Sequence, residues 1–247
     1  MPERDLLIAD NFHPDVREQA ETYGRYAMYS VFGITRGVLP ADRAQVAEEL
    51  VRFLIQCHDR GVVVRGIYDL AGMRSDGDVL LWWHAQDLEQ IQDAYREFLA
   101  NTEFGRVCDP VWSAAGVHRP TEFENTHVPS FVGGHSPDKW LSIHPFSRYY
   151  EWYVLAPEER ARMLRDHGMQ AVGYEDIHAS TTAAFGMGDY EWLMAFEAPK
   201  LERITNMLLK MRYVEARTHV RLESPMYSGR LVSSSTEDLL EFLHTLR

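Results

Sequence analysis

Two stretches of this chain, Gly77–Ile91 (GDVLLWWHAQDLEQI) and Gly188–Ile204 (GDYEWLMAFEAPKLERI), carry the same pattern. Each reads as a turn with Gly-Asp, an aromatic-rich strand, a short acidic connection and a helix whose first apolar pair is Leu-x-x-Ile. The pairs are Leu88/Ile91 and Leu201/Ile204, with a two-residue insertion in the second copy. A helix precedes each copy. In ADRAQVAEELVRFLIQCHDRG, Asp42 is the cap, Val46, Leu50, Phe53, Leu54 and Cys57 form the apolar stripe, and Gly61 is the stop. In APEERARMLRDHG, Pro157 takes the first helical position and Gly168 lies beyond the end. Strands are predicted over Tyr26–Ile34 and over 62–70. The unit is β-α-β-β-α-β, the split βαβ pattern, and it occurs twice. This duplication predicts an α+β fold of two ferredoxin-like repeats. The boundaries expected are a loose arm at 1–20, a first repeat at 21–110, a connecting loop at 111–137 and a second repeat at 138–247.

Charge removes several function classes. The 247 residues hold 25 basic and 37 acidic side chains, a formal net charge of −12, which repels nucleic acid and anionic lipid. The longest early apolar run, Leu6–Ala9, is too short for a signal sequence or a membrane span. Cys57 and Cys108 lie in no C-x-x-C pattern, so reduced, buried thiols in a cytoplasmic protein are expected. No phosphate-binding glycine loop, no G-x-S-x-G elbow and no H-E-x-x-H occurs. Aromatics make up 12% of the chain, which means a thick core or a pocket walled by flat side chains.

Eleven histidines offer candidate chemistry. His13, His58, His178, His219 and His244 read as surface residues, and His84 as a packing residue at a strand end. His118, His127, His135 and His144 cluster around the connecting loop, where four together favour a site over four structural roles. His167 closes the Pro157 helix, either as a dipole partner or as an axial metal ligand. The segment WLSIHPFSRYYEWYVL (Trp140–Leu155) reads as a strand, with alternation placing His144, Phe146 and Arg148 on one face if no bulge follows Pro145. It is either an edge strand or a pocket wall in which Arg148 binds an anion.

The segments VRGIYDLAGMRSDGDVLLWW, HRPTEFENTHVPSF, PFSRYYEWYVLAPEERARMLRDHG, GDYEWLMAFEAPKLERI and MRYVEARTHVRLESPMYSGR resemble the chlorite dismutase-like superfamily. They are similar in particular to its actinobacterial coproheme decarboxylases, and they span roughly 23 to 231. The resemblance implies a dimeric α+β barrel, a homopentamer, and haem in the second repeat. It implies His167 as the proximal ligand, His127 as the distal base acting on hydrogen peroxide, Arg148 and Ser228 as propionate contacts and Trp152 as a pocket wall. Iron coproporphyrin III (coproheme) would be substrate and redox centre, haem b the product, and the preceding ferrochelatase a transient partner.

One position departs from the family pattern. The decarboxylases carry a radical-forming tyrosine where this chain has His144, and an imidazole is a poor one-electron donor. Three outcomes stay open: a substituted decarboxylase, with weak activity through Tyr149 or Tyr150 as one route, a haem or coproheme binder with little turnover, and a non-haem barrel. The distal arginine needed for chlorite chemistry is missing from HASTTAAF.

Overall fold

The structure is a computed structural model that describes residues 25–119, 122, 128–232 and 234–246. The arm expected at 1–20, His13 and His127 lie outside the described residues.

Aromatic and β-branched residues form the first strand, β1 (Tyr26–Ile34). Helix α1 (Arg43–Asp59) starts where the Asp42 side chain accepts from the Gln45 amide at 3.0 Å. It stops before Gly61, whose φ of +82° suits a residue without Cβ. Strands β2 (Val63–Asp69) and β3 (Val79–Ala85), helix α2 (Leu88–Asn101) and strand β4 (Cys108–Val117) complete the first repeat. The second repeat has β5 (Trp140–Arg148), a 3-10 turn at Tyr150–Val154, α3 (Pro157–Met169), β6 (His178–Ala183), β7 (Trp192–Ala198) and α4 (Leu201–Lys210). It continues through β8 (Val220–Leu222) and β9 (Tyr227–Val232) to a terminal helix, α5 (Thr236–Thr245).

The sheet runs β7-β6-β4-β1-β3-β2-β9-β5, and β5 pairs back onto β7, so the strands close into a barrel with β8 appended to β5. Closure removes the sheet edges. The repeats join twice, at β2–β9 and at the single Val117↔Ala183 pair of β4 and β6. Gly116 sits at the second join, where a Cβ would meet Thr182 Oγ1 at 2.5 Å. Only glycine lets these strands approach so closely.

Alternation along the strands divides the core into an inside and an outside. Tyr29, Val31, Trp82, Leu141, Ile143, Leu193 and Ala195 fill the barrel. At its centre Arg65 and Glu197, 1% and 0% exposed, pair at 2.8 Å. Tyr68 Oη and Ser130 Oγ also donate to this carboxylate, at 3.2 and 3.0 Å, and Arg65 Nη1 donates to the His135 carbonyl at 2.7 Å. The pair therefore ties β2 to β7 and holds the end of the connecting loop from within.

Outside, the two repeats differ. The first packs Phe53, Trp83, Phe98 and Phe104 between sheet and helices, with ring centroids 5.9–6.4 Å apart. Among the described residues the second has two smaller clusters, Phe196, Ala198, Ile204 and Met207 in one and Trp152, Met163 and Ala216 in the other. Trp83 and Phe196 precede their helices by the same interval, so the copies diverged in how completely this face is filled.

Several expectations need correction. Val111–Val117 belongs to β4, paired along β1, so the connecting loop begins later than 111. The Trp140–Leu155 strand ends at Arg148, and the residues after it turn into a 3-10 helix. Gly168 lies inside α3 rather than beyond it, and Gly173, with φ +93°, is the left-handed residue that follows. His58 is buried in α1, and His178 and His219 are half-buried, the latter packed on Trp152 at 5.4 Å. His244 is exposed, as expected.

Candidate active site

Strand register decides which side chains share a face. On β5 and β7, Ser142 opposes Phe196, His144 opposes Met194 and Phe146 opposes Trp192. On β5 and β9, Ser142 opposes Ser228. Opposed residues point to the same side of a sheet. Because Phe196 belongs to the outer cluster, His144, Phe146 and Ser228 also face out of the barrel, on the incompletely filled side. The alternation expected from sequence holds for His144 and Phe146, and a register shift follows between Ser147 and Arg148. Arg148 stacks over Phe146 at 4.6 Å and over Trp152 at 4.0 Å, and donates to the Ala216 carbonyl at 3.1 Å. Trp152 is buried beside Met163 of α3 and Ala216.

His167 occupies the last turn of α3. Burial, then the charge of Arg148, lowers its pKa, with Glu223 opposing them. The imidazole is thus neutral at physiological pH, as a metal ligand must be. His144 is 2% exposed and its Nδ1 has no hydrogen-bond partner among the described residues. Its pKa falls to about 4, first through burial, with Glu223 raising it and Arg212 and Arg217 lowering it further. The Glu223 carboxylate accepts from Arg212 at 2.5 Å and forms an ion pair with Arg217 at 3.0 Å. One carboxylate thus acts on both imidazoles, so the sheet-borne His144 and the helix-borne His167 border common ground. Arg148 and Glu223 tie that ground to Trp152 and to the segment before β9.

The expected histidine cluster divides. His135 packs its ring on His178 at 4.9 Å and lends its carbonyl to Arg65, and His118 is buried near β1. Neither shares the face of His144, and no group of three or more potential metal ligands occurs among the described residues. Glu223, Arg212 and Arg217 were missed in the sequence. Arg212 and Arg217 lie in short 3-10 turns at Met211–Tyr213 and Glu215–His219, and Glu223 directly follows β8, where elements this short show no period to mark which side chains turn inward.

This residue set fits an iron porphyrin. It supplies one neutral imidazole on a helix end, a cation for a carboxylate, the flat or soft faces of Trp152, Met194 and Phe196, and an unpartnered buried imidazole nitrogen on His144.

A family model described as chlorite dismutase matches residues 43–232. The chain belongs to the chlorite dismutase family. Within that family it is 49% identical over 209 residues to a coproheme decarboxylase of Mycolicibacterium smegmatis, covering 85% of this chain and 90% of that protein. A coproheme decarboxylase of Staphylococcus carnosus is 25% identical over 237 residues, with 87% and 93% covered. A solved chlorite dismutase of Candidatus Nitrospira defluvii, in complex with imidazole, superposes with a TM-score of 0.77 at 21% identity. It covers 91% of this chain and 98% of the other. That likeness establishes the two-repeat α+β barrel.

Proposed function

We propose that this family member is a hydrogen peroxide-dependent coproheme decarboxylase acting in haem synthesis. The 49% identity to the Mycolicibacterium smegmatis enzyme over most of both chains carries the reading. Iron coproporphyrin III is substrate and redox centre, and haem b is the product. At positions 2 and 4 of the porphyrin, each propionic acid and one hydrogen peroxide give a vinyl group, one CO2 and two waters. The iron porphyrin supplies the redox chemistry that couples peroxide to this carbon–carbon cleavage.

The chain's own residues bind and orient. His167 offers its neutral imidazole to the iron, and the α3 backbone holds it at the pocket edge. Arg148, half-buried on Phe146 and Trp152, pairs with a propionate, and Ser228 on the same sheet face adds a hydroxyl donor. Removing the Arg148 guanidinium deletes a charge-assisted hydrogen bond worth about 1.5–3 kcal/mol. Arg148→Ala is therefore expected to weaken coproheme binding roughly 10- to 100-fold in a spectroscopic titration. His127, outside the described residues, is assigned the peroxide proton on the strength of the resemblance. His144 stays neutral and donates or accepts one hydrogen bond toward the porphyrin.

His144 also favours a second reading, a coproheme binder with little turnover, since an imidazole replaces the oxidisable phenol. Coproheme titration of the wild type and of His167→Ala tests the shared premise. The wild type should develop a sharp Soret band that His167→Ala loses. An identical band in both proteins contradicts iron ligation by His167. Addition of peroxide then separates enzyme from binder, because only the enzyme shortens the propionates.

Two repeats, the first running through the end of β4 at Val117, a homopentamer, a cytoplasmic location and transient contact with the preceding ferrochelatase belong to the same proposal. No helix among the described residues is long and apolar enough to cross a membrane.

A further inference from the structure

The segment Tyr150–Val154 turns away from the sheet directly after Arg148 and carries Tyr153 to the edge of the same pocket face. Its phenol donates to Glu191 Oε2 at 2.7 Å, and that oxygen also accepts the Arg148 amide at 2.8 Å. The indole of Trp192, which opposes Phe146 on the pocket face, donates to the Tyr153 oxygen at 3.4 Å. Phe185 packs on both rings, at 6.1 Å from Tyr153 and 5.4 Å from Trp192. This is a phenol with a carboxylate already positioned to take its proton, beside the cation assigned to the substrate carboxylate.

Other phenols lack this arrangement. Tyr153 is itself 44% exposed, as Tyr149 is, so the carboxylate and not burial sets it apart: among the described residues neither Tyr149 nor Tyr150, the latter under Arg221, donates its hydroxyl to one. Tyr68 donates to Glu197, but that carboxylate already pairs with Arg65 inside the barrel, on the opposite side of the sheet. Oxidising a phenol by one electron makes its proton strongly acidic, so a base within hydrogen-bond reach lowers the barrier. Glu191 meets that requirement at Tyr153.

We propose that Tyr153 is the one-electron donor of this protein. Its electron goes to the oxidant generated from hydrogen peroxide at the bound porphyrin, and its O–H bond breaks as the proton passes to Glu191 Oε2. The products are a neutral phenoxyl radical on Tyr153, a protonated Glu191 and an oxidant reduced by one electron. This step rests on the peroxide-dependent reading above, and it supplies the redox-active phenol that His144 removes from β5.

Two measurements test it. In metal-free protein labelled with 13C at the tyrosine ring, one resonance should titrate near pH 12, where burial first and the Glu191 hydrogen bond next hold Tyr153. Glu191→Gln should move that midpoint down, the direction in which the Arg148 charge also acts, and Tyr153→Phe should delete the resonance. In coproheme-loaded protein frozen shortly after peroxide addition, electron paramagnetic resonance should show a tyrosyl radical that narrows with ring-deuterated tyrosine. Tyr153→Phe should reduce that signal by at least about tenfold while the Soret band and coproheme affinity persist. A signal of wild-type intensity in Tyr153→Phe, or no protein radical in the wild type, overturns the proposal. Porphyrin mass judges decarboxylation separately: a Tyr153 radical over an intact substrate leaves the inference standing and sinks the enzymatic reading.

Discussion

Glu197→Ala is expected to lower the free energy of unfolding by about 3–5 kcal/mol, the cost of leaving a buried charge without its partner. Arg65 would keep its guanidinium at the centre of the barrel, 1% exposed, with only the His135 carbonyl as a described hydrogen-bond acceptor. Tyr68 and Ser130 would lose an acceptor as well. The damage should spread to both repeats, because β2 belongs to the first and β7 to the second, and to the loop through Ser130 and His135. Urea unfolding measures the loss, and hydrogen exchange at 128–136 should rise together with it. A replacement of both partners by apolar residues of similar volume, such as Arg65→Met with Glu197→Leu, should recover much of the stability. A Glu197→Ala protein as stable as the wild type would mean that water or a rearranged Arg65 compensates the charge.

His144→Tyr should have the largest effect on chemistry. The side chain at this position lies on the pocket face, opposite Met194 and tilted against Phe196 at 5.9 Å. A phenol placed there brings a second oxidisable group to the porphyrin edge and removes an imidazole nitrogen that has no described partner. Decarboxylation is expected to accelerate at least about tenfold, equivalent to 1.4 kcal/mol off the barrier. Coproheme affinity should change far less, since His167 and Arg148 are untouched. In this background Tyr153→Phe should no longer matter, whereas in the wild type it should abolish turnover. An unchanged rate in His144→Tyr would show that the reacting propionate does not lie against β5.

Regular segments of the fold were legible in the sequence. Strand β1 and the cap and stop of α1 follow from β-branched residues, Asp42 and Gly61, all of which act within a few positions of themselves. The duplication was legible because both copies keep Leu-x-x-Ile against the same sheet face. What failed involved competition between local and distant partners. Val111–Val117 has Gly and Ala where a strand ordinarily shows bulk, and it becomes β4 because β1 needs a neighbour and the barrel must close near Gly116. His58 reads as a polar-face residue until α1 is seen pressed between the sheet and α5.

Legibility of the site followed the same division. The shared face of His144 and Phe146 came from strand period alone, whereas Arg148 lies past a register shift and meets Phe146 by stacking on it. The action of Glu223 on both His144 and His167 could not come from period, because Glu223 follows a run of short 3-10 turns and the three-residue β8, none long enough to show one. Tyr153 was hidden for a related reason: read as part of a longer strand, it had no distinct direction. The 3-10 turn after Arg148 is what sends it to Glu191.

The mass of the porphyrin tests the central claim most directly. Purified protein should be mixed with iron coproporphyrin III, supplied with small additions of hydrogen peroxide, and sampled by mass spectrometry. The expected result is stepwise loss of two carboxyl groups, with the monovinyl species preceding haem b. A coproheme mass that stays unchanged while the Soret complex remains intact would contradict a decarboxylase and leave a porphyrin-binding protein.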